Sequence, residues 1–284
     1  MMLPRSLLFV PATSARKVEK ALTGAADGVI VDLEDAVATA EKGQARQQAA
    51  ELLAVHRGKT VFVRVNALGT PFSYDDLLMA AAAAIDGIVL PKAESAADIL
   101  TVDWLLTQLE TRAGKQPGTL ELTPIVETAR GVAQAAAIAS ASPRVRRLAF
   151  GAVDLALDMD VDLEDDAGAI NQARFALTLA SRAAGLEGPI DTVFTDIADT
   201  AGLETSTRRA RAMGFAAKAC IHPAQIETVN AVFSPSPAEL ERARTIVEAF
   251  DAAEAQGLAA VSVGGVMVDY PVVLKARRTL ERRR

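Results

Sequence analysis

The chain has 284 residues, 50% of them hydrophobic, and a net charge of −6. That composition supports a large core and excludes a disordered chain, and the acidic balance argues against a nucleic-acid binder, which carries a basic footprint. One cysteine, Cys220, excludes a disulfide framework and a Cys-rich zinc site, and two histidines, His56 and His222, exclude a multi-His centre.

In chain order, the apolar run from Leu7 to Val10 is too short for the core of a signal peptide and predicts a buried strand over residues 6–10. A helix over 14–22 follows, then a strand over 28–34 and a helix over 39–55. Residues 60–66 read as a strand rich in β-branched side chains. An Ala-rich helix over 74–84 leads to a strand over 87–92 and a helix over 96–112. Strand 120–127, helix 129–140, strand 147–154, helix 169–184, strand 189–194, helix 199–213 and strand 215–222 complete the series. No stretch approaches the ~20 apolar residues of a membrane span, so a cytoplasmic protein with no membrane or nucleic-acid partner is expected.

Near-continuous apolar strands alternating with helices predict a parallel sheet buried on both faces. Eight repeats predict an α/β fold of the (β/α)8 TIM barrel type over residues 1–233, with function at the C-terminal strand ends. Asp32, Glu34, Arg64, Asn66, Lys92, Glu127, Asp154, Asp191 and His222 all fall at or just past such an end. A doubly wound sheet usually carries a Gly-rich phosphate loop after its first strand, and the stretch from Pro11 to Ser14 has no glycine. After the turn-rich Ser234-Pro-Ser-Pro-Ala238, residues 234–284 form an appendage: a helix over 239–256, the pair Gly264 and Gly265, a segment over 266–271 and a basic helix. It is sized like a C-terminal helical lid, or an arm to a neighbouring subunit.

Glu127 and Asp154 each end an apolar run. Adjacent strand ends would bring both carboxylates onto one cation; the alternative is two acids capping the helices that follow. Such a cation needs oxygen ligands, which favours Mg²⁺, with Mn²⁺ possible. Asp32 and Glu34 alternate to one face, where they hold metal-bound water or orient a basic residue; Asp35 joins this cluster or starts the next turn. Arg64 shares an inward face with Phe62 and Asn66 and needs an anion there. That anion is Asp32 or Glu34, or a substrate carboxylate or developing enolate oxygen that suits a guanidinium fork. Pro223 moves His222 to the rim, as a substrate contact or a satisfied core histidine. His56 reads as an inert loop residue. Arg16 and Lys20, four apart on the first helix, form a solvated edge or a ridge for a polyanionic ligand. The arginines Arg277, Arg278, Arg282, Arg283 and Arg284 suit a helix C-terminus or a frayed tail.

Together these stretches resemble the citrate lyase β-subunit family, within the HpcH/HpaI-type aldolases. The resemblance is carried by Leu8-Phe-Val-Pro11, Val31-Asp-Leu-Glu-Asp-Ala-Val37, Val63-Arg-Val-Asn66, Leu90-Pro-Lys92, Pro124-Ile-Val-Glu-Thr128, Phe150-Gly-Ala-Val-Asp154, Cys220-Ile-His-Pro223 and Val268-Asp-Tyr-Pro271. It implies a TIM barrel, a homotrimer, Mg²⁺ and acyl-CoA thioester chemistry. By position, Glu127 and Asp154 would ligate the metal and Glu127 would meet the substrate. Asp32 would hold a metal-bound water, with Glu34 and Asp35 beside it. Arg64 would bind the thioester or carboxylate oxygen. Phe9, Arg16, Lys20, Ile221 and His222 would face CoA, and Asp269 would reach a neighbouring subunit's site as its acid/base. The implied reaction is retro-Claisen cleavage of a malyl-, citramalyl- or citryl-CoA-type thioester to acetyl-CoA and a 2-oxo acid. A malyl-CoA-type thioesterase and a citrate lyase β subunit acting within a complex are the alternatives.

Overall fold

Strand alternation decides what the interior of this protein contains. In the computed structural model, residues 4–54, 58–163 and 168–282 are described. His56, Arg283, Arg284 and part of the loop over 159–166 lie outside the described residues. The chain divides into two compact units, Met1–Val229 and Asn230–Arg284.

The first unit runs β1 (Ser6–Pro11), α1 (Ala15–Thr23), β2 (Gly28–Asp32), α2 (Lys42–Ala54), β3 (Thr60–Arg64), α3 (Ser73–Ala82), β4 (Gly87–Leu90) and α4 (Ala96–Arg112). It continues with β5 (Glu121–Val126), α5 (Ala129–Ala133), α6 (Ala135–Ser140), β6 (Ala149–Phe150), α7 (Ala152–Met159), α8 (Ala169–Ala183), β7 (Ile190–Asp191), α9 (Thr200–Ala212) and β8 (Ala217–Cys220). The strands pair in parallel and in chain order, and β8 returns to β1, closing a (β/α)8 TIM barrel. Among the described residues, no helix is long and apolar enough to cross a membrane.

Leu7, Ile30, Phe62, Val89, Ile125, Ala149, Ile190, Ala217 and Ala219 fill the barrel. Their neighbours Val29, Val31, Val61, Val63 and Ile88 are fully buried under the helices, as a sheet covered on both faces requires. Because side chains alternate with period 2, the inward rows continue from Phe62 to Arg64, from Ile30 to Asp32 and from Ile125 to Glu127. Asp32 and Arg64 are register partners on β2 and β3. The same alternation turns Asp191 outward, next to inward Ile190. Its carboxylate takes Arg174 of α8 and Lys218 of β8 in a buried ion triad. Asp191 thus ties a helix to the sheet, although it sits at a strand end like the other polar residues.

Three elements differ from the pattern expected. The stretch 147–154 is not one strand: β6 stops at Phe150, Gly151 breaks it (φ −109°, ψ 83°), and Asp154 lies in the first turn of α7. A buried apolar helix start has the same hydropathy as a short strand. The helix expected over 129–140 is broken at Gln134, whose φ −105° and ψ 7° leave the helical region. The third difference is in the second unit.

There, α10 (Ile226–Phe233) crosses the division between the units, and α11 (Pro237–Glu254) begins at a capping box of Ser236 and Glu239. A hairpin of β9 (Val261–Val263) and β10 (Val266–Val268) turns on Gly264 and Gly265, both at positive φ, which glycine adopts without steric cost. The expected helical appendage held an unassigned segment over 266–271 and no hairpin; strands this short give almost no periodic signal. Helix α12 (Tyr270–Glu281) follows, with Asp269 as its N-cap. Phe250, Val268 and Val273 form this unit's core, and Tyr270 packs edge-on against Phe250 at 5.1 Å.

Candidate active site

A pocket opens at the C-terminal end of the barrel strands, lined by Phe9, Arg64, Thr123, Glu127, Gly151, Asp154 and Thr192 among others. Glu127 follows β5 directly and is 3% exposed. Its Oε1 accepts the backbone N–H of Lys92 at 2.8 Å. Its Oε2 lies against Gly151, where a Cβ would come within 2.4 Å of that oxygen. Only glycine lets the β6–α7 turn approach the carboxylate this closely. Burial pushes the Glu127 carboxyl up to about 8, and the charge of Asp154 adds to the shift.

Asp154 reaches the pocket from α7, whose start is tied down on two sides. Gly151 N–H donates to Val126 O at 3.2 Å, and Ala152 N–H donates to Thr192 Oγ1 at 3.1 Å. Further along α7, the Asp158 carboxylate accepts Ala129 N–H at 2.7 Å. Ala129 opens α5 two residues after Glu127, so the acid is favoured there by the helix dipole. These bonds fix the helix of one carboxylate to the strand end of the other.

Across the pocket Arg64 is clamped. Its Nε and Nη2 donate to the two oxygens of Asp32 at 2.7 and 2.6 Å. Asp32 also accepts the N–H groups of Glu34 (2.9 Å) and Ala36 (3.2 Å). A carboxylate offers roughly four lone-pair sites, so Asp32 is fully used in holding Arg64 and shaping the turn. Arg64 Nη1 lies 2.9 Å from Glu34 and 3.3 Å from Asp35. Its guanidinium sits 4.9 Å from the centre of the Phe9 ring. Burial works against the Arg64 charge, but its bonds to Asp32 and the three nearby carboxylates outweigh that and raise its pKa. Burial also pushes Glu34 up to about 7, a shift that the Arg64 charge reduces without cancelling.

Five carboxylates (Asp32, Glu34, Asp35, Glu127, Asp154) thus meet two cationic side chains, Arg64 and the more distant Lys92, 3.9 Å from Glu34. Of these acids, neither Glu127 nor Asp154 is ion-paired to a described cation at contact distance. Hard oxygen donors with a shortage of positive charge fit Mg²⁺ or Mn²⁺. Among the described residues, no group of three or more His, Cys, Asp or Glu is arranged to hold a metal. A cation held here would have Glu127 and Asp154 as its protein ligands, with its other positions left to water or substrate.

The remaining expected residues are spread out. Phe9 lies inside the pocket against Arg64. Arg16 and Lys20 are exposed on α1. Ile221 is 38% exposed, and the exposed His222 uses Nδ1 to cap the short helix after β8 by accepting Ala224 N–H at 3.2 Å. Asp269 belongs to the second unit, where its carboxylate accepts Val272 N–H at 3.4 Å. Sequence reasoning missed Thr192, Gly151 and Gln225. Gln225 accepts the N–H of Ile221 at 2.9 Å and donates to Phe194 O at 2.8 Å, fixing the rim after β8. Gly151 does carry a signal, since a lone glycine in a strand pattern marks close backbone approach.

Fold and site together define a (β/α)8 barrel with an anionic, cation-seeking pocket at its C-terminal mouth. The chain belongs to the HpcH/HpaI aldolase/citrate lyase family, whose model matches residues 5–223. It is 37% identical over 281 residues to the citrate lyase subunit beta of Leuconostoc mesenteroides subsp. cremoris, covering 98% of this chain and 93% of that one. Over 280 residues it is 39% identical to the (3S)-malyl-CoA thioesterase of Cereibacter sphaeroides, covering 97% and 93%. Among solved structures, CitE of Mycobacterium tuberculosis in complex with magnesium, acetoacetate and coenzyme A matches with a TM-score of 0.81 at 35% identity, covering 98% of this chain and 97% of that one.

Proposed function

We propose that this protein is an Mg²⁺-dependent acyl-CoA lyase that cleaves a malyl-, citramalyl- or citryl-CoA-type thioester reversibly to acetyl-CoA and a 2-oxo acid. The observation that carries this is the Glu127–Asp154 acid pair facing a clamped Arg64 across one pocket. Support comes from the relative named a citrate lyase subunit and from the solved relative that holds magnesium, a small oxo acid and coenzyme A together.

Glu127 and Asp154 would hold the cation, which supplies Lewis acidity toward the carboxylate and hydroxyl oxygens of the substrate. The remaining work falls to the protein's own groups. As the hydroxyl proton passes to water, the bond between the hydroxyl-bearing carbon and the acetyl carbon breaks. The electron pair stays with acetyl-CoA as its enolate, and the hydroxyl carbon becomes the carbonyl of the 2-oxo acid. Arg64 stabilises the enolate oxygen. Of its five N–H groups, Asp32 takes two, and Glu34 and Asp35 face the two on Nη1. One on Nη2 remains for that oxygen. A donor already locked by Asp32 loses little entropy when it meets the developing charge. Asp269, supplied by the C-terminal arm of a neighbouring copy in a homotrimer, gives or takes the proton at the enolate carbon. Arg16, Lys20, Ile221 and His222 face CoA, and the protein works in the cytoplasm.

A thioesterase on the same site is the second reading, favoured by the relative of that name at 39% identity. One assay separates the two. Purified protein is incubated with Mg²⁺ and malyl-, citramalyl- and citryl-CoA, and both acetyl-CoA and free thiol are measured. Acetyl-CoA release marks a lyase, and free thiol marks a thioesterase. No turnover of any of the three, without an added partner subunit, defeats both readings and leaves a subunit that acts within a complex.

A further inference from the structure

Two residues other than glycine have positive φ among the described residues, Lys92 at 51° and Asp160 at 53°. Asp160 is the ordinary case, a left-handed C-cap at the end of α7. Lys92 ends no helix. It stands in the turn from β4 to α4, directly after Pro91, two residues past the strand. A left-handed conformation is disfavoured for a residue with a Cβ, and glycine would adopt it freely. Where the surroundings enforce such a conformation, it points to a function.

The lysine side chain does not account for it. The side chain is 45% exposed, and its ammonium lies 3.9 Å from the Glu34 carboxylate; such a pair contributes little. The backbone does account for it. Pro91 has no N–H to give. The N–H of Lys92 itself donates to Glu127 Oε1 at 2.8 Å, and the left-handed turn at Lys92 then carries the chain back toward β5. Ala93 N–H immediately returns to Ile125 O on β5 at 3.1 Å. In this way the β4–β5 ladder is extended by one bond onto a side chain. That bond occupies Oε1, while Oε2 lies against Gly151, on the side of the turn that leads into α7 and Asp154.

We infer that Lys92 is a positioning residue for Glu127: its left-handed backbone N–H locks one oxygen of the carboxylate and thereby presents the other for cation binding, an inference that rests on the metal role proposed above. The ammonium plays no part in this.

The test separates backbone from side chain. Mn²⁺ binding to the full-length protein is measured from the electron paramagnetic resonance signal of the free ion, together with the Tm of each metal-free protein. A backbone ester at position 92, introduced as the α-hydroxy analogue of lysine, deletes the N–H and keeps the side chain. It is expected to weaken Mn²⁺ binding about tenfold, which corresponds to ~1.4 kcal/mol. Lys92→Met and Lys92→Gly keep the N–H and should bind within about threefold of the wild type, with Lys92→Gly unchanged or higher in Tm because its turn is unstrained. An ester that lowers Tm but binds Mn²⁺ as the wild type does would overturn the inference, and so would a tenfold loss in Lys92→Met. Where the ester does not fold, the Met and Gly variants still decide whether the side chain is needed. Failure of the wild type to bind Mn²⁺ at all defeats the metal reading itself, a result distinct from these.

Discussion

At Glu34 two opposing effects can be weighed. Burial favours the neutral acid and Arg64 favours the anion, and burial wins: the carboxyl is raised from 4.5 to about 7. A raised carboxyl pKa means that the folded protein binds the proton more tightly than the unfolded chain does. The resulting stability is complete below the unfolded value near 4.5 and is lost as pH rises through 7. The metal-free protein should therefore lose Tm between pH 5 and 7, and Glu34→Gln should flatten that slope; an unchanged slope in the variant would assign the effect elsewhere. Arg64 yields a second prediction. A lysine cannot span both oxygens of Asp32 as the guanidinium does. Arg64→Lys should lower kcat by roughly 100-fold, the scale for losing a preorganised oxyanion donor, and leave Mn²⁺ affinity within about threefold, since Arg64 is not a ligand. Equal losses in both would mean that Arg64 organises the metal side instead. Strand alternation placed Asp32 with Glu34 on one face and Arg64 inward from residue order alone, and Glu127 was legible as the end of a strand. The saturation of Asp32 was not legible, because it depends on two backbone N–H groups whose directions follow from the turn after β2.

Among the elements, α7 was the hardest to see and matters most for the site. Its first turn carries Asp154, and its Ala152 N–H is held by Thr192 from the end of β7. Nothing in a single apolar stretch distinguishes a two-residue strand plus a helix start from one longer strand, so the acid was placed correctly at the barrel mouth on the wrong element. The long helices and the eight-strand order were legible because each repeats a strong period, whereas Gly151 and Thr192 act through close approach between elements distant in sequence. Thr192→Val preserves shape and removes the acceptor, leaving a buried N–H unpaired at a cost of about 1–3 kcal/mol. Part of that loss should appear as weaker metal binding, because α7 is freed to shift. Gly151→Ala should be more severe, since its Cβ would meet Glu127 Oε2 at 2.4 Å; calorimetric titration with Mg²⁺ is expected to show no saturable binding. Wild-type affinity in Gly151→Ala would mean that the β6–α7 turn can relax without moving the carboxylate.

For the whole molecule, the second compact unit carries an acid, Asp269, whose role is separable from that of the barrel. Residues 230–284 have their own core around Phe250, and Asp269 stands half-buried at the start of α12. Helix capping alone would explain an aspartate there, and its bond to Val272 at 3.4 Å is long. If Asp269 serves the site of another copy, the two roles lie on different chains and can be recombined. Glu127→Gln removes a metal ligand from its own barrel and keeps a working arm. Asp269→Asn keeps the barrel and disables the arm. Each homogeneous variant should be nearly inactive. After unfolding and co-refolding at equal ratio, a site is complete when an Asp269→Asn barrel meets a Glu127→Gln arm, so about one quarter of sites recover in a cyclic assembly with random mixing. Turnover near that fraction of wild type is the expected result. No recovery, with mixed oligomers verified by native mass spectrometry, would place Asp269 in the site of its own chain or outside catalysis altogether. A partly active Asp269→Asn homo-oligomer would instead reduce the residue to the helix cap that its backbone geometry already supports.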